Sequence, residues 1–317
     1  MPDADPRVRH LGAGEMTRPA LEALAVDLGP RVRRQAQLAP FTAMRVGGPA
    51  DLLIVVESSA GLAETVRAAQ RHGVRWRVLG GGCNVLIADD GLRGLVIINR
   101  ASALSIDGCM IRAESGAMLA TVARKSTDAG LAGLVWATGL PGTVGGALVG
   151  NAGAFEGDIA ASLESATVLE PDGELAGRAS EWFGFDYRSS RLKRETDAPR
   201  AILDATFCLE PGNETVLRAR ADEVLRARRT GHPSGATMGS TFKNPPGEYA
   251  GQLIEEAGLK GHSVGGARVS EQHANFIINA GGATAESILA LIRHVQAEVR
   301  RKFDIELELE IELLGWE

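Results

Sequence analysis

Two short runs of glycine constrain this chain more than any other feature. The first, Val78-Leu-Gly-Gly-Gly-Cys-Asn-Val-Leu86, places three glycines directly after a strand-like segment. With no Cβ in the way, consecutive backbone N–H groups can turn toward one anion there, and a pyrophosphate would fit. A plain tight turn reads equally well from this run alone. The second, Ala137-Thr-Gly-Leu-Pro-Gly-Thr-Val-Gly-Gly-Ala147 followed by Asn151-Ala-Gly-Ala-Phe155, adds closely spaced glycines, two threonine hydroxyls and an asparagine. Glycine makes up 39 of 317 residues, roughly 12% against about 7% in ordinary usage. Two runs in so glycine-rich a chain favour loops wrapped around a nucleotide.

Neither run is a familiar phosphate loop. G-x-x-x-x-G-K-[ST] is absent, and Gly142-x-x-Gly145-Gly146 does not satisfy G-x-G-x-x-G between a strand and a helix, so P-loop ATPase and ordinary Rossmann readings fail. A formal net charge of −6 argues against nucleic acid or an anionic membrane surface as partner. Cys83, Cys109 and Cys208 are odd in number and far apart, which suggests neither a disulfide framework nor a zinc site. No apolar stretch has the length of a signal peptide or a membrane span, so no membrane insertion and a cytoplasmic location are expected.

The length allows two or three domains. Residues 1–40 read as a polar N-terminal segment with a helix around Ala20–Leu28. Apolar runs at Asp51–Val56, Trp76–Leu79 and Leu95–Ile98 read as strands, with a helix over Gly61–His72 between the first two. Further strands are predicted at Ala166–Leu169 and Ala201–Leu209, the latter closing before Pro211-Gly212. Residues 216–229 read as a helix, and 285–303 carry Ile288, Leu289, Ile292, Val295, Val299 and Phe303 at helical spacing. The tail, Ile305 to Leu313, alternates strictly. It predicts a strand with aliphatics on one face and a solvated row of Glu306, Glu308, Glu310 and Glu312 on the other.

Longer motifs carry a resemblance. Thr42-Ala-Met-Arg-Val-Gly-Gly-Pro-Ala50, the Gly-Gly-Gly-x-Asn-Val-Leu run, and Gly-x-Pro-Gly-Thr-Val-Gly-Gly-Ala with Asn-Ala-Gly are similar to the flavin-binding segments of the UDP-N-acetylenolpyruvoylglucosamine reductase (MurB) family. Phe185-Asp-Tyr-Arg-Ser189, Gly239-Ser-Thr-Phe-Lys-Asn-Pro245, Ala250 to Gly261, Gly265-Gly-Ala-Arg-Val-Ser-Glu-Gln-His-Ala274 and Leu307-x-x-Glu310 resemble further family motifs, in family order from about residue 40 to 315. The resemblance implies an α+β chain: a vanillyl-alcohol-oxidase-type FAD-binding fold in two subdomains (41–209) and a C-terminal α/β substrate-binding domain (210–317), whose last strand returns to the N-terminal part. It implies hydride transfer from NADPH to FAD, then to UDP-N-acetylglucosamine enolpyruvate, giving UDP-N-acetylmuramate.

The resemblance also assigns residues. Arg188 would pair with the enolpyruvyl carboxylate, Ser240 would deliver the proton, and Glu310 would help the developing enolate and its protonation. Alone, Arg188 reads as a surface ion-pair residue and Ser240 as a turn serine, and only the Leu-x-x-Glu register singles out Glu310. Tyr187, Lys243 and Asn244 are candidate substrate contacts, as is His273, which reads equally well as a structural histidine. FAD would be held by Arg45, Gly47, Gly80, Gly81, Gly82, Cys83, Asn84, Val85, Thr138, Gly139, Pro141, Gly142, Thr143, Gly145, Gly146 and Asn151, with no metal. Cys83 stands where the family often has serine, Val135 where it has glutamate and Phe155 where it has tyrosine. The chain resembles the compact subgroup that lacks a tyrosine-bearing insertion. Two alternatives are a flavin oxidase on the same fold and a nucleotide-binding module without chemistry.

Overall fold

The computed structural model describes residues 17–316; residues 1–16 of the polar N-terminal segment noted above therefore lie outside the described residues. Helix α1 (Arg18–Leu28) is capped by Thr17, whose hydroxyl accepts from the N–H of Ala20, and it ends at Gly29 with φ +72°. With α2 (Ser59–Arg71) it covers a four-stranded sheet ordered Arg33–Gln37, Pro49–Val56, Leu92–Asn99, Trp76–Leu79. The first pair is antiparallel and the others parallel. The parallel strands are apolar on both faces, as a covered parallel sheet demands.

A second sheet is wholly antiparallel, ordered Leu175–Ala179, Leu163–Leu169, Ala201–Cys208, Met110–Glu114, Leu104–Asp107. Helices α3 (Leu119–Asp128) and α4 (Val144–Gly150) bury Val122, Ala123, Val144 and Leu148 in one core with its Ile111, Ala205 and Phe207. The short α5 (Arg191–Arg194) follows the Tyr187-Arg188 turn. Leu169, Ala201 and Leu203 reach across into the core beneath α2, so the two sheets share apolar contacts.

Helix α6 (Glu214–Gly231), capped by Asn213, leads into a third, antiparallel sheet of Ala236–Ser240, Phe276–Asn279, Ala267–Val269 and Ser263–Val264. Helices α7 (Ala250–Glu256) and α8 (Ala285–Phe303) pack on it. Ile288, Leu289, Ile292, Val295 and Val299 are buried, as the helical spacing predicts. Met44, Val46 and Leu86 from the first half lie in this same core. The Asp89 carboxylate caps α8 by accepting from the N–H groups of Ala285 and Glu286 at 2.9 and 3.0 Å.

The tail departs from the predicted strand. Regular pairing is confined to Glu312–Leu314, which runs parallel to Val85–Ile87. Residues 305–311 spend their backbone groups on a loop instead: Lys243 N–H donates to Glu308 O at 2.8 Å, and Glu310 N–H to Thr241 O at 2.9 Å. Nor is the acidic row uniformly solvated. Glu306 and Glu308 are exposed, whereas Glu310 and Glu312 line an internal cavity.

Candidate active site

The two glycine runs meet. A Cβ on Gly80 would stand 2.1 Å from Thr143 Oγ1, and one on Gly81 3.4 Å from Gly142 Cα, so the loops touch backbone to backbone. Gly82 has φ +59°, and a Cβ there would fall 2.1 Å from Phe41 O, which leaves no alternative to glycine. Together the loops form part of the wall of a cavity of about 560 Å³, a size suited to a cofactor or small ligand. Gly80, Gly81, Gly82, Cys83, Asn84, Val85, Pro141, Gly142, Thr143, Gly145 and Gly146 all line it. A Cβ at Gly142, Gly150 or Gly239 would meet no protein atom within 4 Å. All three face the cavity, so any side chain there would intrude on the space a ligand needs. Burial pushes the Cys83 thiol above its ordinary pKa, and its Sγ donates to Gly81 O at 3.2 Å.

Arg188, Ser240 and Glu310 line the same cavity. Asp186 and Ser189 exchange N–H to O=C bonds of 3.1 Å around the two-residue turn that holds Arg188. Arg188 has φ +53° there, a left-handed backbone that costs a side-chain-bearing residue on the order of 1 kcal/mol. From this turn its Nε donates to Glu310 Oε1 at 2.8 Å and Nη2 to Gly153 O at 2.7 Å. Lys193 Nζ donates to the carbonyls of Arg188 and Glu310 at 3.2 and 3.3 Å. Asn84, from the first glycine run, donates to Glu310 O at 3.2 Å. Burial pushes the Glu310 carboxyl above its ordinary pKa, against the pull of Arg188. Ser240 ends its strand beyond a slip in the ladder between Thr237 and Ser240, the kind of irregularity that re-aims a side chain.

Other expected site residues lie off the cavity wall, with structural work of their own. Arg45 is exposed at φ +59°, and a Cβ on Gly47 would sit 3.0 Å from Ile87 Cβ. Gly139 packs under Leu225, and Thr138 offers its carbonyl to Arg228 Nε at 2.9 Å. Asn151 caps α4 in a left-handed conformation, donates to Asp186 O at 3.1 Å and accepts from Ala160 N–H at 3.2 Å. Tyr187 is 49% exposed, and its hydroxyl accepts from Asn244 N–H at 3.4 Å. Asn244 Oδ1 accepts from Ala250 N–H at 3.1 Å, and Lys243 pairs with Glu308 at 3.3 Å. His273 Nδ1 accepts from Asn275 N–H at 3.2 Å, with its ring centroid 4.9 Å from that of Phe276. Burial lowers its pKa.

Several polar residues on the wall escaped the sequence reading, among them Arg77, Lys193, Arg228, His232 and Glu312. Arg228 did leave a signal, since it falls four residues after the buried Val224 on the inward stripe of α6.

Comparisons with known proteins agree with this layout. Residues 50–176 match the profile of the FAD binding domain, and residues 232–314 that of the UDP-N-acetylenolpyruvoylglucosamine reductase C-terminal domain. The UDP-N-acetylenolpyruvoylglucosamine reductase of Halalkalibacterium halodurans is 40% identical over 93% of this chain and 97% of its own. That of Bacillus licheniformis is 38% identical over 90% and 94%. The crystal structure of the Thermus caldophilus enzyme (MurB) superposes with a TM-score of 0.78 at 36% identity, covering 90% of this chain and 99% of that one. Cavity, glycine loops and relatives agree: the chain belongs to the UDP-N-acetylenolpyruvoylglucosamine reductase (MurB) family.

Proposed function

We propose that this chain reduces UDP-N-acetylglucosamine enolpyruvate to UDP-N-acetylmuramate with electrons from NADPH passed through FAD, a step of peptidoglycan precursor synthesis. The observation that carries the reading is the Arg188–Glu310 pair, set on the wall of one cavity with Ser240 and both glycine loops. FAD fits those loops, because the wall is bare of side chains at Gly142 and Gly150 and presents backbone where a dinucleotide must approach closely. When bound, FAD supplies hydride transfer between NADPH and the sugar nucleotide.

The residues of the chain manage charge and protons. The substrate is an unsaturated carboxylate, so hydride arriving at the terminal vinyl carbon drives negative charge onto the carbon that bears the carboxylate. Arg188 binds that carboxylate through its planar guanidinium and stabilises the charge as it grows. Ser240 delivers a proton to the carbanion-like carbon, completing the lactyl ether. An unactivated hydroxyl is a poor acid near neutral pH and needs positioning. Glu310, buried and bound to Arg188, steadies the arginine and assists protonation. Tyr187, Lys243, Asn244 and His273 lie beside this wall and are proposed as contacts of the sugar nucleotide. The FAD-binding part is assigned to residues 41–209 and the substrate-binding part to 210–317.

The cytoplasm is the proposed location, where both nucleotides are made; among the described residues no helix is long and apolar enough to cross a membrane. The test is NADPH consumption by the FAD-loaded protein, with and without the sugar nucleotide, under air and under nitrogen. Consumption that requires the sugar nucleotide and ignores oxygen is expected. Consumption that follows oxygen alone makes the protein an oxidase, and bound flavin without turnover makes it a binding module.

A further inference from the structure

Arg228 is a buried cation with no countercharge among the described residues. It is 8% exposed on the inward stripe of α6. Its Nε donates to Thr138 O at 2.9 Å and its Nη2 to Trp136 O at 3.0 Å. The guanidinium carbon lies 5.0 Å from the centroid of the Phe155 ring. Among the described residues no carboxylate pairs with it, and Nη1 takes no protein acceptor. That amino group is not sealed off either, and the residue lines the cavity with His232 one turn further along the helix. Burial alone pushes the Arg228 pKa below its ordinary value, which is the mark of a desolvated charge lacking an acid beside it. Such a charge is costly unless something compensates it.

Two carbonyls and an aromatic ring hold the guanidinium plane, which leaves Nη1, on a residue that lines the cavity, for a ligand. The carbonyls belong to Thr138, within the second glycine run, and Trp136, which adjoins it. A rigid guanidinium edge of this kind suits a phosphate oxygen, which accepts a charge-assisted hydrogen bond. We propose that Arg228 is a phosphate-binding residue, its Nη1 taking an oxygen of the diphosphate carried by FAD or by the sugar nucleotide. This rests on the proposed reading for the identity of the ligands, and it adds a residue outside the motifs that suggested them. Phe155 supports the guanidinium of this subsite from behind the cavity wall.

The test compares phosphorylated and unphosphorylated ligands in the full-length Arg228→Met variant. FAD and riboflavin are titrated into the apoprotein by flavin fluorescence, and UDP and uridine into the flavin-loaded protein by calorimetry. If the cofactor is the source, FAD binds roughly 10- to 100-fold more weakly and riboflavin is unchanged. If the sugar nucleotide is the source, the same gap opens between UDP and uridine. Equal weakening of both members of each pair means loosened structure and overturns the proposal, as does no weakening at all. If Arg228→Met does not fold, Arg228→Lys, which keeps the charge and loses the fork, goes through the same titrations. A several-fold loss confined to the phosphorylated member of one pair supports the proposal, and an equal or absent loss overturns it. Failure of the functional reading would show separately, in wild-type protein that consumes no NADPH on addition of the sugar nucleotide.

Discussion

Arg188 and Glu310, 122 positions apart in sequence, meet side chain to side chain at 2.8 Å on the wall of one cavity. Neither is held loosely. The arginine stands on a two-residue turn at positive φ, and the glutamate backbone is pinned by Thr241 and Asn84. The pair thus joins the Asp186–Ser189 turn to the C-terminal tail.

Ser240→Ala is expected to leave flavin reduction by NADPH close to wild type while lowering turnover of the sugar nucleotide by roughly 10²- to 10⁴-fold, the usual scale for loss of a proton donor. Rapid-mixing measurement of the two half-reactions decides it. Equal loss of both would remove Ser240 from the proton-delivery role.

Glu310 gives a pH signature in stability. Burial raises its folded-state pKa above the unfolded value, with Arg188 the main opposing influence. The stabilisation tied to its protonated form is therefore fully present below the unfolded value and is lost as pH rises through the folded one. Wild type is expected to gain stability relative to Glu310→Gln as pH falls from neutrality toward about 4, where an ordinary glutamate titrates. Melting temperatures of both proteins across that range are the check, and a constant gap would refute it.

Gly150→Leu separates cavity from fold. Its backbone φ is not positive and a Cβ would meet nothing within 4 Å, so the substitution should leave the melting temperature of the apoprotein nearly unchanged. The leucine side chain would occupy ligand space, and flavin retained through purification, read from visible absorbance, should fall steeply. Full flavin content would show that the cofactor lies elsewhere.

The Glu170 carboxylate is buried at 8% exposure and accepts from Arg178 Nη2 and Arg200 Nε, each at 2.6 Å. Burial alone would raise its pKa, but the two guanidinium groups prevail and hold it below the ordinary value. Its stabilisation is present above the unfolded pKa and is lost as pH falls through the folded one. Glu170→Ala takes the carboxylate from Arg178 and leaves Arg200 only its 3.2 Å pair with Glu195, and is expected to cost about 3 kcal/mol near neutral pH, less in strong acid. Denaturant titrations at both pH values test this, and an equal cost at each would contradict the assignment.

What could be read from the sequence follows from which forces act locally. The helix over 285–303 is legible because a 3.6-residue period records which side faces a core; the one read over 216–229 runs two residues further at each end. The glycine runs were legible because positive φ and close approach leave few other residues possible. The tail was misread as a full strand because strict alternation specifies two faces but not a partner, and residues 305–311 pair with a loop. Glu310 could be told from its three acidic neighbours only through a family motif. Arg228 was missed because a basic residue on a helix ordinarily points to water. Asn151 and Gly139, expected at the cofactor because they sit among the cradle residues, also cap α4 and pack against α6, roles that no local pattern announces.

The pairing of Glu312–Leu314 with Val85–Ile87 also sets a schedule. During synthesis the glycine loops and Arg188 leave the ribosome well before Glu310 is translated, and the carboxylate reaches them only when the tail threads back beside the first loop. The growing chain can therefore assemble a dinucleotide cradle early, while the complete set of groups proposed for the chemistry comes together only at the last fold of the polypeptide.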